Sequence, residues 1–420
     1  MTGYFTLLRT HRHVRGLWFA QLASQIGDQV GLIALFQLCS RLGGDVSALG
    51  FVLVVQQMPT VVLGSVAGWV ADRFDRRTVM IVADLARAVI ALAFLFVEQA
   101  RELGWLYGVA LVLYSVSPFF EPSRQALLQT IVADEEVVAA NALSGATYGI
   151  ASGLGCLAGG IVIEWASERS AFVLESMMFL ASALLVLRLG ALPVLSASAR
   201  ADRAIATTGT LRSFLAGNRQ AVAALLVKLL GAGLTGGGMW VIVVVYGQQT
   251  FPIGNGGAVS VGILNGAMFL GGLVGPSCVT LLFRHEAGER QGRTVMRGIS
   301  LFFALRAALL VALAWSPNLV VASLSAMGLV VAAYGSVLSS TILLQRLSPD
   351  HVRGRLFALD LAIWTLGVVV SAQASGFVMS HWQVSPQHVA LGLAAMMFAI
   401  TGVWLVISTR WERWGRATRS

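Results

Sequence analysis

Polar side chains follow one face of the first long apolar run, where charge is costly. Gln21, Ser24, Gln25, Asp28 and Gln29 recur at intervals of three and four residues, which is the spacing of one helical face. Asp28 lies about 11 residues into this run, near the middle of a bilayer if the run spans one. A charge there costs about 2.5–3.5 kcal/mol on insertion scales, so it is a functional candidate. Asp28 is expected either to carry a proton or contact substrate, or to be a structural carboxylate paired with a neighbouring donor.

Two further intramembrane charges lie in the second half of the chain. Lys228 is the only lysine and lies about nine residues into the seventh apolar run. It is expected either to pair with Asp28 across a central cavity or to reach the membrane surface with its long side chain. Asp360, in the eleventh run, is expected to pair with Arg353 or Arg355.

Two arginines, an aspartate and a glutamate are further candidates. Arg87 and Arg306 lie at similar depths in the third and ninth runs. Asp84 precedes Arg87 by three residues, which places both on nearly the same helical face and predicts a local ion pair. Glu175, about five residues into the sixth run, is either a second protonatable site or an interfacial carboxylate.

The composition assigns the chain to the membrane class. Hydrophobic residues make up 57% and charged residues 12% of its 420 residues, whereas soluble domains carry about 25% charged residues. A bilayer-spanning helix needs roughly 20 mainly apolar residues. Twelve runs approach or exceed that length, at about residues 17–40, 47–71, 79–97, 104–120, 141–163, 170–190, 219–247, 257–283, 296–314, 319–343, 355–379 and 389–409. The first is too long for the apolar core of a signal peptide and is expected to be a membrane helix.

The chain has a net charge of +9, and most of its arginines lie between these runs. If the N-terminus is cytoplasmic, 22 of the 29 basic residues fall in cytoplasmic segments, and only Arg41, Arg101 and Arg169 fall in outer connections. This positive-inside bias predicts that both termini are cytoplasmic. Membrane topology thus explains the basic charge, and no nucleic-acid partner is expected.

The densest charge cluster separates the second and third runs. Five of the six residues from Asp72 to Arg77 are charged; such a cluster cannot lie in hydrocarbon, so a short aqueous loop is expected. The pattern Gly68-x3-Asp72-Arg73-x2-Arg76-Arg77 closely resembles the cytoplasmic loop between helices 2 and 3 of the major facilitator superfamily. The resemblance implies a conformational latch, in which a carboxylate–arginine pair forms in one state and breaks in another. The alternative is that these arginines only set topology.

Other residues resemble the drug:H+ antiporter branch of that superfamily, which includes macrolide exporters, the enterobactin exporter and lysophospholipid transporters. They are Asp75, Asp84-x2-Arg87, Pro122-x-Arg124 and Ala140-Asn141-Ala142-Leu143. Glu121 and Arg124, at the inner end of the fourth run, are expected to receive the latch. In the fifth run the glycines of 155–160 match the antiporter pattern, but Cys156 replaces its proline and puts the kink in question.

The resemblance covers nearly the whole chain and implies an all-α membrane protein. Twelve transmembrane helices would form two pseudo-symmetric six-helix bundles, the major facilitator fold, with residues 1–190 and 219–420 joined by a cytoplasmic linker at 191–218. The implied function is proton-coupled export of a small amphipathic organic compound, of drug, macrolide or siderophore type, across a bacterial inner membrane. In that cycle Asp28 is protonated from outside and deprotonated inside. The alternatives are a lysophospholipid flippase of the same superfamily and a non-transporting membrane scaffold or sensor.

Amide, aromatic and methionine residues within the runs are candidates for the substrate cavity, because such mixed linings suit amphipathic ligands. They are Gln25, Gln29, Gln56, Gln57, Tyr114, Asn265, Met268, Tyr334, Trp364 and Gln373. The alternative for each is simple packing. No nucleotide-binding loop, zinc motif or Cys/His cluster occurs in the sequence. We therefore expect a transporter and not an enzyme, with no cofactor and no metal, working as a monomer with its substrate, protons and the lipid bilayer.

Overall fold

The structure, a computed structural model, describes residues 8–99, 102–132, 136–190, 211–283 and 289–417. The regular structure of these ranges is helical, and no strand occurs within them. The helices of the first half are α1 (Arg12–Arg41), α2 (Val46–Arg73), α3 (Arg76–Ala93), α4 (Leu103–Val116 and Phe120–Ile131, joined by the 3-10 turn Ser117–Phe119), α5 (Val137–Trp165) and α6 (Glu168–Leu187).

The second half begins with an irregular helix. Helix α7 consists of Arg219–Lys228, a π-helical turn at Leu229–Gly233, the segment Leu234–Val245 and a second π-helical turn at Tyr246–Thr250. It is followed by α8 (Ala258–Phe283), α9 (Glu289–Ala314), α10 (Leu319–Leu347), α11 (Asp350–His381) and α12 (Pro386–Ala417). A short helix at Leu211–Gly217 precedes α7, and residues 191–210 of the expected linker lie outside the described residues.

The helices have the lengths and surfaces of membrane spans. Within the described residues, eleven are long and apolar enough to cross a membrane, and α9 has a shorter apolar stretch, Gly298–Ala314. Large apolar side chains face outward, such as Val89 at 71% exposure and Leu301 at 58%. An outer surface of this kind is costly in water and stable in lipid. The all-α membrane architecture is therefore confirmed, and each of the twelve expected runs corresponds to one helix.

Contacts divide the chain into two compact units. The first contains α1–α6 together with Gly247–Phe269. The second contains α7 up to Tyr246 and the chain from Leu270 onward. In the first unit α1 packs against α5 and α6, and α3 packs against α6. In the second, α9 packs against α10 and α12, and α7 packs against α11.

The connection between α2 and α3 is shorter than the predicted loop at residues 72–77. Helix α2 runs to Arg73 and α3 begins at Arg76, so two residues connect them. Asp75 ends the connection by capping α3, because its carboxylate accepts hydrogen bonds from Thr78 N at 2.8 Å and Thr78 Oγ1 at 2.7 Å. The charges at 72–73 are compatible with a helix because they lie at its exposed end.

Two other boundaries also differ because helices continue through polar residues. Helix α4 extends beyond its expected end at residue 120, through Phe120–Ile131. Helix α11 begins at Asp350 instead of near residue 355, with the extended backbone of Pro349 immediately before it. The polar residues of these stretches are therefore held on helical faces.

Candidate functional site

Three acidic residues of the first unit lie near the guanidinium of Arg87; we call Asp28, Asp84, Arg87 and Glu175 the Arg87 cluster. Arg87 Nη1 on α3 donates to both oxygens of Asp28 on α1, at 3.2 and 3.3 Å. Its Nη2 contacts Asp84 Oδ1 and donates to Ser24 Oγ at 2.8 Å. The local Asp84–Arg87 pair expected from the spacing is present, and Arg87 also ties α3 to α1.

Aromatic rings enclose the guanidinium of Arg87. Its Cζ lies 4.3 Å from the ring centroid of Phe179 and 5.2 Å from that of Phe120. Ring faces attract a cation while excluding water from it. The rings therefore strengthen the dependence of Arg87 on its carboxylate partners.

Glu175 on α6 belongs to this cluster, so its interfacial interpretation is wrong. The residue is 1% exposed and interacts electrostatically with Asp28 and Arg87. Its carboxyl group lies directly over Gly31 of α1, where a Cβ would collide with it. Glu175 Oε2 is buried without a hydrogen-bond partner among the described residues. The close packing of α1 on α6 is what buries this carboxyl group.

The cluster contains more acidic than basic groups, and its members differ in access. Asp28 and Asp84 contact Arg87 directly, and Glu175 is buried close enough to interact with it electrostatically. The side chain of Asp28 is 28% exposed, whereas those of Asp84 and Arg87 are 0% and 2% exposed. Asp28 is therefore the member that water can reach most readily.

The second unit contains a buried ion pair between α7 and α11. Lys228 Nζ contacts Asp360 Oδ2, and the two side chains are 12% and 1% exposed. The expected partners were Asp28 for Lys228, and Arg353 or Arg355 for Asp360; the observed pair corrects both assignments. The side chain of Arg353 lies outside the described residues. Lys228 is also too buried for the alternative of reaching the membrane surface.

Close helix packing explains this pair. The Cα atom of Gly233 on α7 lies 2.9 Å from the position that a Cβ on Gly367 of α11 would occupy. The π-helical turn Leu229–Gly233 begins directly after Lys228. A π turn inserts one extra residue into the helix. The side chain of Lys228, which precedes the turn, is therefore rotated to another helical face relative to the side chains that follow the turn.

Arg306 on α9 is buried like Arg87 but has only neutral partners among the described residues. It is 1% exposed. Its Nε donates to Thr235 Oγ1 at 2.8 Å, and its Nη1 donates to the carbonyl oxygen of Leu329 at 3.2 Å. These acceptors position the guanidinium without cancelling its charge.

The expected ion pair of the latch is not formed at the end of α2. Asp72 and Arg73 are both exposed. Arg73 Cζ lies 5.5 Å from the ring centroid of Trp69, and none of the ion pairs found in the described ranges involves Asp72. Gly68 faces open space, since a Cβ there would meet nothing within 4 Å.

The next two arginines bind backbone carbonyl groups. Arg76 Nη1 donates to the carbonyl oxygen of Ala126 on α4 at 2.8 Å. Arg77 donates to three carbonyl groups at the end of α6, those of Val186, Leu187 and Gly190. Carbonyls at a helix C-terminus lack intrahelical donors. Arg77 therefore caps α6, and Arg76 joins the start of α3 to α4.

Glu121 and Arg124 pair with each other on α4. Arg124 Nη2 and Nε donate to the two carboxylate oxygens of Glu121 at 2.6 and 2.9 Å, and Nη1 donates to Ser144 Oγ on α5 at 3.1 Å. The side chain of Arg124 is 2% exposed and that of Glu121 is 42% exposed. Arg124 thus ties α4 to α5 close to the segment that receives Arg76.

Seven of the expected cavity residues lie in the first unit: Gln25, Gln29, Gln56, Gln57, Tyr114, Asn265 and Met268. Two of them serve local contacts. Gln29 Oε1 accepts from Cys156 Sγ at 3.6 Å, and Asn265 Nδ2 donates to the carbonyl oxygen of Val261 at 2.9 Å. Tyr114 is buried beside Gln56. The Oε1 atoms of Gln25 and Gln56 are buried without a hydrogen-bond partner in the described part of the chain.

Three expected cavity residues, Tyr334, Trp364 and Gln373, lie in the second unit. Tyr334 is 37% exposed, and its ring lies 3.2 Å from the position that a Cβ on Gly272 would occupy. Trp364 has a buried Nε1 that finds no acceptor within the described ranges. Buried donors without a partner are rare and mark places where water or a ligand can bind. Met268, in the first unit, is 3% exposed and serves packing.

The sequence did not predict the full burial of two carboxylates, Asp84 and Asp360. Asp84 forms the expected pair with Arg87 and is fully buried there. Asp360 was assigned to neighbouring arginines on its own helix. Counted from the starts of the expected runs, Lys228 lies nearer in depth to Asp28 than to Asp360, so depth alone would not have identified this pair.

Comparison with known proteins places the fold in a family. Residues 17–372 match the family described as the Major Facilitator Superfamily. The "Uncharacterized MFS-type transporter YkuC" of Bacillus subtilis (strain 168) is 28% identical over 177 residues, which are 42% of this chain. The chain spans 41% of YkuC and 43% of a second such relative from that strain, YfiS. The "Putative bacilysin exporter BacE" of Bacillus subtilis is 24% identical over 366 residues, 86% of this chain and 88% of BacE.

Solved structures of low sequence identity share the fold. The nucleoside transporter NupG superposes with a TM-score of 0.71 at 17% identity, over 94% of this chain and 98% of NupG. A bacterial homologue of the iron transporter ferroportin, in an inward-facing state, gives a TM-score of 0.65 at 16% identity, over 94% and 98% of the two chains. These relatives and neighbours are transporters and not enzymes. The matched residues and the shared helical architecture establish that this chain belongs to the Major Facilitator Superfamily.

Proposed function

We propose that this chain is a secondary transporter that couples proton movement to the export of a small amphipathic organic compound. The observation that carries the proposal is the Arg87 cluster, in which two carboxyl groups contact one buried guanidinium and a third, that of Glu175, is buried nearby. Ionisable groups inside a membrane are expensive and mark ion or substrate pathways. A scaffold or sensor has no comparable need for them.

Proton binding would resolve the charge imbalance of the cluster. Arg87 can neutralise only one of its carboxylates, and a buried carboxylate without a partner is strongly destabilising. We infer that the cluster holds at least one proton. Asp28, whose side chain is the most exposed member, would exchange this proton with water. Arg87 would then shift its share of contact between Asp28 and Asp84, which changes the attachment of α1 to α3.

The junction of α2 and α3 is proposed as the conformational latch. Arg76 and Arg77 hold the start of α3 to α4 and α6 through backbone carbonyls. These few polar contacts can be exchanged at small cost, since the acceptors can bind water instead. Asp72 and Arg73, exposed in this conformation, would form their ion pair in the other one.

Several features complete the proposal. Export is favoured by the likeness to BacE, which extends over 86% of this chain. The excess of arginines between alternate spans supports an inner-membrane protein with both termini cytoplasmic. Gln25, Gln56 and Trp364 each have a buried polar atom without a hydrogen-bond partner among the described residues, and each is proposed to contact substrate. Together with Asp75 and the Asp84–Arg87 pair, these features favour the drug:H+ antiporter branch and a monomer as the working unit.

Accumulation of antibiotics, dyes and siderophores in an efflux-deficient bacterial host tests this function. Wild type, Asp28→Asn, Glu98→Gln and a vector control are compared with and without a protonophore. Glu98 is a matched control, because its carboxylate is 58% exposed and pairs with Arg169 outside the cluster. Wild type and Glu98→Gln should lower accumulation, and Asp28→Asn or the protonophore should abolish the difference.

Two outcomes would reject the proposal. Export by Asp28→Asn at the wild-type rate would show that the cluster carries no coupling. If no compound distinguishes wild type from vector, while vesicles containing the protein move a lysophospholipid regardless of protonophore, the flippase alternative replaces it.

A further inference from the structure

Arg87 on α3 and Arg306 on α9 are both buried, but their surroundings are opposite. Arg87 contacts the carboxylates of Asp28 and Asp84, and the carboxyl group of Glu175 is buried nearby. Arg306 contacts only the hydroxyl of Thr235 and the carbonyl of Leu329 among the described residues. One buried arginine therefore has more acidic partners than it can neutralise, and the other keeps an uncompensated positive charge.

One edge of the Arg306 guanidinium is left without an acceptor in the described part of the chain. Nε and Nη1 make the two hydrogen bonds, whereas Nη2 faces Gly236 of α7. Nη2 lies 4.0 Å from the position that a Cβ on Gly236 would occupy, and Val368 Cγ2 lies 3.6 Å from the same position. Because Gly236 has no side chain, an oxygen atom can approach Nη2 through this space.

A second donor without a partner lies on the neighbouring helix. Trp364 precedes Val368 by one turn of α11, and its Nε1 is buried without an acceptor among the described residues. The backbone of Trp364 borders α7 as well, since its carbonyl oxygen lies 3.3 Å from the Cβ position of Gly233. The stretch Gly233–Gly236 of α7 thus has the backbone of Trp364 near one end and the guanidinium of Arg306 near the other.

We propose that Arg306 binds an anionic oxygen group of the transported compound, and that Gly236 keeps the approach to it open. A guanidinium recognises carboxylate and phosphate through short charge-assisted hydrogen bonds. The carboxylates of the Arg87 cluster supply negative charge to Arg87. At Arg306 the bound ligand would supply it. The ring of Trp364 offers an aromatic surface to the apolar body of the ligand, and its Nε1–H offers a further donor to an oxygen atom of the ligand. This inference rests on the proposed function and narrows the substrate to amphipathic anions.

Thermal unfolding of the purified full-length protein in detergent micelles tests the site. The ligands are two pairs that differ in charge: N-acetyl-phenylalanine and its amide, and lysophosphatidic acid and monoacylglycerol. The first pair represents a soluble carboxylate and the second a lipid headgroup, so the arms distinguish the source of the anion. Wild type is compared with Arg306→Gln and Gly236→Ala. Gly392→Ala is the control, because a Cβ on Gly392 of α12 meets nothing within 4 Å.

At least one anionic ligand should raise the unfolding temperature of wild type and of Gly392→Ala, and its neutral partner should not. Arg306→Gln should weaken the apparent affinity for that anion roughly tenfold or more, since a hydrogen bond to a charged group is lost. Gly236→Ala should weaken it as well while leaving the unfolding temperature without ligand unchanged or higher, because its methyl group meets only ordinary contacts.

Three results would overturn the inference: no anion stabilises wild type, the neutral partners stabilise it equally, or both variants keep the preference for the anion. These results differ from a failure of the proposed transport function. Proton-dependent export that Asp28→Asn abolishes would stand even if Arg306 bound no anion. Conversely, anion binding that Arg306→Gln abolishes would stand even if export did not depend on protons.

Discussion

Removal of Lys228 should destabilise the protein more than removal of the whole Lys228–Asp360 pair. Lys228→Met leaves the Asp360 carboxylate, which is 1% exposed, without its cation. Asp360 Oδ1 already has no hydrogen-bond partner among the described residues, so no second donor within them can compensate. The double variant Lys228→Met/Asp360→Asn contains no buried charge at this position.

The expected energies follow from the burial of the pair. Removing one partner of a buried ion pair costs about 3–5 kcal/mol, because an uncompensated charge remains. The double variant leaves a buried amide, which costs about 1–3 kcal/mol when its hydrogen bonds are incomplete. Asp360→Asn alone should lie near the lower end of the first range, since the remaining Lys228 side chain is 12% exposed. A coupling energy of about 2 kcal/mol or more should result, well above the roughly 0.3–0.5 kcal/mol scatter of independent sites.

Equilibrium unfolding in mixed detergent micelles measures these values, with Arg219→Met as the matched control. Arg219 is an exposed basic residue at the start of the same helix, so its loss should change stability by no more than about 0.5 kcal/mol. The reasoning is refuted if Lys228→Met lies within about 1 kcal/mol of wild type, or if the double variant loses the sum of the two single losses.

Three further substitutions test other contacts. Gly31→Ala places a methyl group where the Glu175 carboxyl lies and should lower the free energy of unfolding by about 1–3 kcal/mol in unfolding titrations. The control Gly402→Ala should not destabilise the protein, because nothing lies near its Cβ position. Equal effects of the two substitutions would contradict the close packing of α1 on α6. Arg77→Ala removes the donors to three carbonyl groups at the end of α6 and should lower the free energy of unfolding by about 1–3 kcal/mol. Arg77→Lys should recover part of this loss. An Ala variant as stable as wild type would rule out the cap. Asp75→Ala should cost about 1 kcal/mol and speed amide exchange in the first turn of α3, whereas Asp75→Asn should keep the cap; unchanged exchange in the Ala variant would show that Asp75 does not cap α3.

The helical membrane architecture could be predicted from the sequence, because the length of an apolar run depends on one helix alone and not on its neighbours. Twelve runs near bilayer length predicted twelve helices, and the i to i+3 spacing of Asp84 and Arg87 predicted a contact within one helix. Contacts between helices were not predictable in the same way. The pairs Asp28–Arg87 and Lys228–Asp360 depend on which helices pack together, and helical periodicity gives only the face of each helix.

Local backbone features account for the remaining differences. The charged stretch at 72–77 was expected to be a loop, because hydrophobicity alone cannot tell an exposed helix end from a connection. The cap formed by Asp75 reduces the connection to two residues. The interfacial alternative for Glu175 rested on its distance to the helix end, but Gly31 allows α6 to approach α1 and bury the residue. The π-helical turn after Lys228 has no established sequence signal.

The presence of a proton in the Arg87 cluster is the central claim, and infrared spectroscopy of the purified protein at neutral pH tests it most directly. Wild type is compared with Asp28→Asn, Asp84→Asn and Glu175→Gln, and with Glu98→Gln as the exposed control. We expect a carbonyl stretching band of a protonated carboxylic acid that shifts in D2O. This band should lose intensity in at least one cluster variant and persist in Glu98→Gln. The absence of the band, or its persistence in all three cluster variants, would contradict the account.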